Sequence, residues 1–243
     1  MQLRATLGLI RSLAIYYNPW RRRQLHAFYA GILAPGALAF DIGAHVGSRA
    51  RAMRAAGARV VACEPQQPFA GFLRRSLPRD IILVEKAVGP SETVARMSVS
   101  SLHPTVSSLS TSFTGEAASK PGFGHVRWDS SQEVHVTTMD RLIADHGLPD
   151  FVKIDVEGFE LDVLAGLGQP LPLLSVEYLP AFIDRTLAVI DRLEGLGRYS
   201  FNPVAGEEGQ FLWADWRGPE AARAWLRGLD AQGGSGDLYA RLT

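Results

Sequence analysis

The sequence predicts an α/β fold built on a doubly wound parallel sheet whose final strand runs in reverse. Three observations carry that expectation. From residue 37 onward, short apolar runs alternate with apolar stripes at helical spacing; a glycine-bearing loop joins the first run to the first stripe; and the last two runs are divided by a turn rather than a helix. With 243 residues, 47% hydrophobic and 21% charged, the chain has apolar material for one large or two small domains, which excludes disorder and fibrous architectures. Lys plus Arg and Asp plus Glu each number 25, so no bulk field favours nucleic acid or an anionic membrane, and any such partner needs a local patch.

Residues 1–35 form an N-terminal helical segment in which Leu3, Leu7, Ile10 and Ala14 recur at helical spacing. Arg4 and Arg11 interrupt its apolar stretch before the roughly 20 residues a membrane span requires, and no small-residue cleavage site follows. It reads as an amphipathic docking helix, with loose membrane association through it and the basic run 21–23 as the alternative. The main domain covers residues 36–232. Residues 37–42 form the first strand, 48–56 a helix ended by Gly57, and 59–63 the second strand. Phe69, Phe72, Leu73 and Leu77 share one stripe of a helix over 68–77. Residues 80–84, 151–156 and 173–177 supply three more strands. Leu161, Leu164 and Leu167 mark the helix between the last two, and Leu187, Ile190 and Leu193 mark the next, stopped by Gly195 and Gly197. Residues 199–204 and 210–213 read as an antiparallel pair across the turn-like stretch 205–209. Residues 90–135 break this rhythm: 97–101 and 133–137 look extended, and 98–114 holds 10 Ser or Thr in 17 positions. The insert 98–132 is expected to form a substrate lid, and 233–243 a C-terminal tail with 237–242 docking as a short closing segment.

The chemistry concentrates in Phe40-Asp41-Ile42-Gly43-Ala44-His45-Val46-Gly47, placed where a doubly wound sheet binds ligands, at the carboxyl end of a strand. Gly43 and Gly47 permit close backbone approach, while Ala44 and His45 lie between them. Glu64 closes the second strand, where a carboxylate can accept hydrogen bonds from both ribose hydroxyls of an adenosine ligand. The dinucleotide pattern G-x-G-x-x-G fails at His45 and Ser48, which disfavours NAD, and no phosphate loop ending in Gly-Lys-Ser or Gly-Lys-Thr occurs. Asp41 would repel a pyrophosphate but suits the ammonium of S-adenosylmethionine. The single cysteine, Cys63, sits in an apolar run and reads as core, and a chain with one cysteine suits a reducing, cytoplasmic setting.

The blocks FDIGAHVG, VVACEP, EKAVG, VTTMDRL, FVKIDVEGFELDVLAGL and LLSVEYLP, in this order over residues 36–180, resemble the FkbM-type S-adenosylmethionine-dependent methyltransferases. The KIDVEG block is the most specific, and His45 departs from the Asn more often found there. The resemblance implies a Rossmann-like, seven-stranded class I methyltransferase sheet with an antiparallel last strand. It implies S-adenosylmethionine as cofactor and O-methylation of a hydroxyl on a sugar, glycan or secondary metabolite. The alternatives are a noncatalytic cofactor-binding regulatory module and an NAD-dependent oxidoreductase.

Within that picture the acids at strand ends, Asp155, Glu157 and Glu177, are the candidate catalytic groups, Asp155 also touching the cofactor. Asp155 and Glu157 have a second reading as helix-capping acids, and Glu160 and Asp162 read as solvated first-turn residues. Asp155 with Glu177 offers oxygen ligands, but no spacing insists on a metal and none is assigned. Asp41, Gly43, Ala44, His45, Gly47, Glu64 and Pro65 are the remaining candidate cofactor contacts from the first two strands, with Lys86 and Ala87, ending the third strand, beside the adenine. Thr105, Ser107 and Ser108 match a part of the family near cofactor and acceptor, and His103 in the insert is a candidate for facing substrate. Trp128 and Phe123 have two readings, pocket cap or buried core. Lys153, inside an apolar strand, needs a structural ion pair, with Asp140 or Glu85 as partners. Arg49, Arg51 and Arg54 look like an exposed helix face. The expected partners are a small-molecule or glycan acceptor and a second copy in a homodimer, with no nucleic acid and no stable membrane insertion.

Overall fold

The computed structural model describes residues 2–120, 122–206 and 209–243, residues 2–6 by their backbone alone, so the expected contribution of the Leu3 side chain lies outside the described residues. Two helices open the chain, α1 (Gln2–Tyr16) and α2 (Pro19–Ile32). Asn18 caps α2, its side-chain oxygen accepting the Trp20 N–H, and Pro19 takes the first helical position, where a missing N–H does no harm. Next come β1 (Leu38–Ile42), α3 (Ser48–Ala55), β2 (Arg59–Cys63), α4 (Phe69–Ser76) and β3 (Ile82–Val84). All five residues of β1 are buried, as a strand covered on both faces requires. Its alternation sends Leu38, Phe40 and Ile42 into one core with Val61, Ile154 and Val176. Ala39 enters the other core with Met53, Tyr239 and Tyr29 of α2.

A small second sheet follows: β4 (Ala87–Val88) pairs parallel with β6 (Ser130–Thr137), which pairs antiparallel with β5 (Thr93–Val99). Lys86 and Ala87 therefore do not end the third strand of the main sheet, which stops at Val84; Ala87 opens β4. The connection from β5 to β6 carries a 3-10 turn at Pro104–Val106 and helix α5 (Thr111–Ala117), capped by the Ser110 hydroxyl. The chain then runs through α6 (Met139–His146), β7 (Phe151–Ile154), α7 (Glu160–Ala165), β8 (Leu173–Tyr178), α8 (Ile183–Glu194), β9 (Tyr199–Ala205), α9 (Pro219–Arg227) and β10 (Gly236–Leu242). The seven-stranded sheet has the order β3-β2-β1-β7-β8-β10-β9, and β10 is antiparallel to both of its neighbours.

The reversed strand is thus not 210–213. That segment makes one bridge, Phe211 to Val204, and Trp213 is held by the Asn202 side chain, whose Nδ2 donates to the Trp213 carbonyl and whose Oδ1 accepts its N–H. Helix α9 intervenes, and residues 236–242, expected as part of a tail, form a strand inside the sheet. Leu238 and Ala240 feed one core and Tyr239 the other, so β10 is buried on both faces.

β10 also resolves the charge of Lys153. On β7 beside Asp41 of β1, its ammonium is buried and donates to Asp155 Oδ2 at 3.0 Å and Asp237 Oδ1 at 2.9 Å. Asp140 and Glu85 are engaged elsewhere, with the Gly168 N–H and with Arg74. Burial works against the ammonium, but the two carboxylates outweigh it and hold it firmly protonated. Removing one partner of such a buried pair strands a charge. Asp237→Ala is therefore expected to lower unfolding free energy by about 3 kcal/mol in urea titration; a loss within error would show that the pair does not support the sheet.

Candidate active site

At the carboxyl ends of β1, β2, β7 and β8 lies a cavity of about 200 Å³. Its floor is the loop after β1. Gly43 adopts φ +86° and packs so close to the segment after β7 that a Cβ there would sit 1.9 Å from the Asp155 carbonyl oxygen; only glycine fits. His45 adopts φ +51°, a left-handed conformation that a residue with a Cβ takes at a cost of roughly 1 kcal/mol. The turn is secured by its N–H, which donates to Glu64 Oε2 at 2.7 Å, while the Gln66 N–H donates to Glu64 Oε1 at 2.8 Å. Glu64 is thereby aimed at the cavity. The imidazole lies 4.3 Å from the Phe69 ring and edge-on to Tyr16 at 5.3 Å. Burial pushes it down to about 4, so it is neutral at physiological pH, and its Nε2 is buried without a partner.

The opposite wall is acidic. Asp155, Glu157 and Glu177 each bring a carboxylate oxygen within 4.8 Å of the others. Burial drives Glu157 well above the usual carboxylate range, helped by Asp155 and Glu160, and does the same to Glu177, helped by Glu157 and Asp155. Burial also raises Asp155, yet Lys153 and Arg49 outweigh it and hold that carboxyl low. Glu157, like His45, is a left-handed non-glycine residue, at φ +54°, and both line the cavity. The capping role foreseen for Asp155 and Glu157 belongs instead to Glu160, buried rather than solvated, whose Oε1 accepts the Val156 and Gly158 N–H groups ahead of α7.

Of the residues singled out from sequence, Asp41, Gly43, Ala44, His45, Glu64, Pro65, Lys86, Ala87, Thr105, Ser107, Asp155, Glu157 and Glu177 line this cavity. Gly47 does not; it opens α3 against Leu73. Ser108 is buried structure, its hydroxyl donating to the Glu157 carbonyl and accepting the Ser110 N–H. His103 faces away, against Arg11 at 2.7 Å and edge-on to His125. Trp128 and Phe123 of the insert pack with its Phe113 and with Phe182 in a small apolar cluster, the buried-core reading rather than a pocket cap. Sequence reasoning missed Tyr16, Arg49, Met97 and Ser235, which also reach the cavity. Arg49 is not an exposed-face residue; it lies 3.7 Å from Asp237, and its place just after the glycine loop was the available signal. Arg51 reaches Ser76, leaving Arg54, paired with Asp80, on the surface.

A sheet of this strand order, with a single reversed strand and a ligand cavity rimmed by acids at its carboxyl edge, has the architecture of a class I methyltransferase. The family model for the methyltransferase FkbM domain matches residues 41–197, well over half of the 243-residue chain, and the chain belongs to that family. No curated protein matches it. Among solved structures it is similar to precorrin-6Y C5,15-methyltransferase from Geobacter metallireducens, at 14% identity and TM-score 0.48, covering 90% of this chain and 87% of that one. It is similar also to an O-methyltransferase from Bacillus cereus in complex with SAH, at 13% identity and TM-score 0.46, covering 97% and 90%.

The cofactor is S-adenosylmethionine, and the cavity suits it. Asp41 Oδ2 and Glu177 Oε2 are buried carboxylate oxygens without hydrogen-bond partners, an arrangement that a cationic ligand relieves. Burial pushes Asp41 up to about 6 and Glu64 to about 7, Lys153 and Arg49 restraining the first and the two backbone N–H groups the second. Folded-state values raised in this way stabilise the ligand-free protein below pH 4, and that contribution is lost as pH rises through 6 to 7. Asp155, held low, acts oppositely only below about pH 4. Between pH 5 and 8 the melting temperature of the ligand-free protein is expected to fall by about 5 °C, with S-adenosylmethionine restoring more of it at pH 8 than at pH 5. A flat profile would show that these acids are not desolvated.

Proposed function

We propose that this enzyme O-methylates a hydroxyl group on a sugar, glycan or small secondary metabolite. The observation that carries the reading is the meeting of the crowded Asp155, Glu157 and Glu177 carboxylates with Thr105 and Ser107 of the insert in one cavity. Bound there, S-adenosylmethionine supplies a methyl group on a positively charged sulfur and leaves as a neutral thioether. Asp41 is assigned the donor's ammonium, Glu64 its ribose hydroxyls, and Pro65, Lys86 and Ala87 its base.

An acceptor hydroxyl must give up its proton as its oxygen is methylated, so a base has to stand within hydrogen-bond reach. Glu157 and Glu177 fit that task. Burial and the neighbouring carboxylates raise both well above the usual carboxylate range, which strengthens each as a proton acceptor, and Glu177 Oε2 has no hydrogen-bond partner among the described residues. Asp155 is engaged by Lys153 and serves as a positioning group at the boundary between donor and acceptor. Thr105 and Ser107 offer hydroxyls to a polyhydroxylated acceptor, and Tyr16, set against His45, closes the cavity on the side of α1 against water. The insert's position over the acidic wall supports its role as a substrate lid.

Glu157→Gln and Glu177→Gln are expected to cut transfer of labelled methyl at least about 100-fold while leaving S-adenosylhomocysteine affinity nearly unchanged. Asp41→Ala and Glu64→Ala are expected to weaken that affinity about tenfold or more in calorimetry. A screen of candidate sugars and metabolites with labelled donor identifies the acceptor by mass shift. Full transfer by both Gln variants, or a product methylated on carbon or nitrogen, would overturn the reading.

A further inference from the structure

We propose that α1 and the turn into α2 dock this protein on the surface of an anionic lipid bilayer. Helix α1 is inverted relative to an ordinary surface helix. The side facing the protein is centred on small and polar residues, with Leu9 and Leu13 half-buried along its flank: Gly8 and Ser12 are buried, Tyr16 reaches the cavity, and a Cβ on Gly8 would lie 2.8 Å from the Ser101 carbonyl oxygen. With about 100° of rotation per residue, Leu7, Ile10 and Ala14 fall on the opposite side. There Leu7 is 51% and Ile10 56% exposed, and Ala14 is exposed. Beyond the stripe, Ile15, Tyr17 and Trp20 are exposed as well, Trp20 at 76%. Exposed large hydrophobic side chains among the described residues thus concentrate between positions 7 and 20, a grouping that water alone does not favour.

Charge identifies the occupant. Residues 1–40 contain five Arg and no Asp or Glu, in a chain whose net charge is zero. This is the local patch that the overall balance conceals. Arg22 and Arg23 are exposed, and the Arg23 guanidinium lies 5.7 Å from the Trp20 ring. Aliphatic side chains for the acyl boundary, aromatic rings for the headgroup level and arginines for lipid phosphates are what a helix lying in an anionic interface needs. A second copy would set one arginine-rich, acid-free segment against another, and a nucleic acid has no use for a leucine and isoleucine stripe. The helix lies on the bilayer rather than across it, since among the described residues none is long and apolar enough to span. Because the inner side of the same helix walls the cavity through Tyr16, docking would hold the cavity against the lipid surface. The proposal stands independently of which acceptor is methylated.

The test is co-sedimentation of the full chain with phosphatidylcholine vesicles carrying about 30% phosphatidylserine, beside pure phosphatidylcholine vesicles. The protein is expected to pellet with the anionic vesicles at least tenfold more strongly, and to be released by about 0.5 M salt. Leu7→Glu with Ile10→Glu, and separately Arg22→Glu with Arg23→Glu, are each expected to reduce pelleting tenfold or more while S-adenosylhomocysteine affinity is unchanged, which shows that the fold is intact. Failure of the unaltered protein to pellet, or pelleting indifferent to both double variants, would overturn the proposal. So would light scattering that finds a dimer dissolved by the Leu7 and Ile10 variant in a protein that ignores vesicles, or salt-sensitive binding to an RNA oligonucleotide that the same variant leaves untouched.

Discussion

More carboxylates than cations line one cavity, and the rest of the structure is arranged around that imbalance. Asp41, Glu64, Asp155, Glu157 and Glu177 arrive at the same edge because parallel strands share their carboxyl ends. Lys153, Arg49 and the exposed Lys86 are the cations against them, and the Lys153 ammonium is already divided between Asp155 and Asp237. Desolvation raises four of the five acids, and the fifth escapes because it touches the ammonium. A site left short of positive charge in a low-dielectric setting favours a cationic ligand far more than water does.

Backbone geometry serves the same end. Among the described residues the non-glycine left-handed conformations are those of His45, in the floor, and Glu157, in the acidic wall, one tethered through Glu64 and the other fixed by the Ser108 hydroxyl on its carbonyl. Each is held by a hydrogen bond from outside its own turn, which is how a strained conformation persists in a folded chain. The hydroxyl-rich insert therefore does two jobs. Ser108 and Ser110 build the wall, while Thr105 and Ser107 are left facing the cavity.

The sheet was legible where pattern and period agreed. Strands of the first half, covered on both faces, read as unbroken apolar runs, and the glycine loop followed by an acid at the end of the next strand marked one end of the cavity. Legibility failed where a side chain's fate depends on segments far apart in the chain. Lys153 announced a need for counter-charge, but its second partner lies 84 residues away on a strand masked by preceding glycines. Residues 210–213 have strand composition yet make one isolated bridge to β9 and are otherwise held there by the Leu212 N–H on the Pro203 carbonyl and by the Asn202 side chain. Tyr16 reaches the cavity through the orientation of α1, which no local spacing encodes. His103 and Ser108, both in a polar loop, look alike in sequence and differ only in which way the loop turns.

The place of β10 between β8 and β9 has a consequence for assembly. β9 lies at the edge of the sheet, and among the described residues β10 is the one strand of the sheet beside it, its other side meeting only isolated bridges from Phe211 and Arg217. Although β9 precedes β10 in the chain, it has no strand to join until β10 has been laid down, so this half of the molecule cannot be built in the order of synthesis. Until that insertion, Lys153 has one carboxylate instead of two. Closure of the sheet and completion of the pocket's electrostatics are therefore a single event, and a chain caught before it has neither.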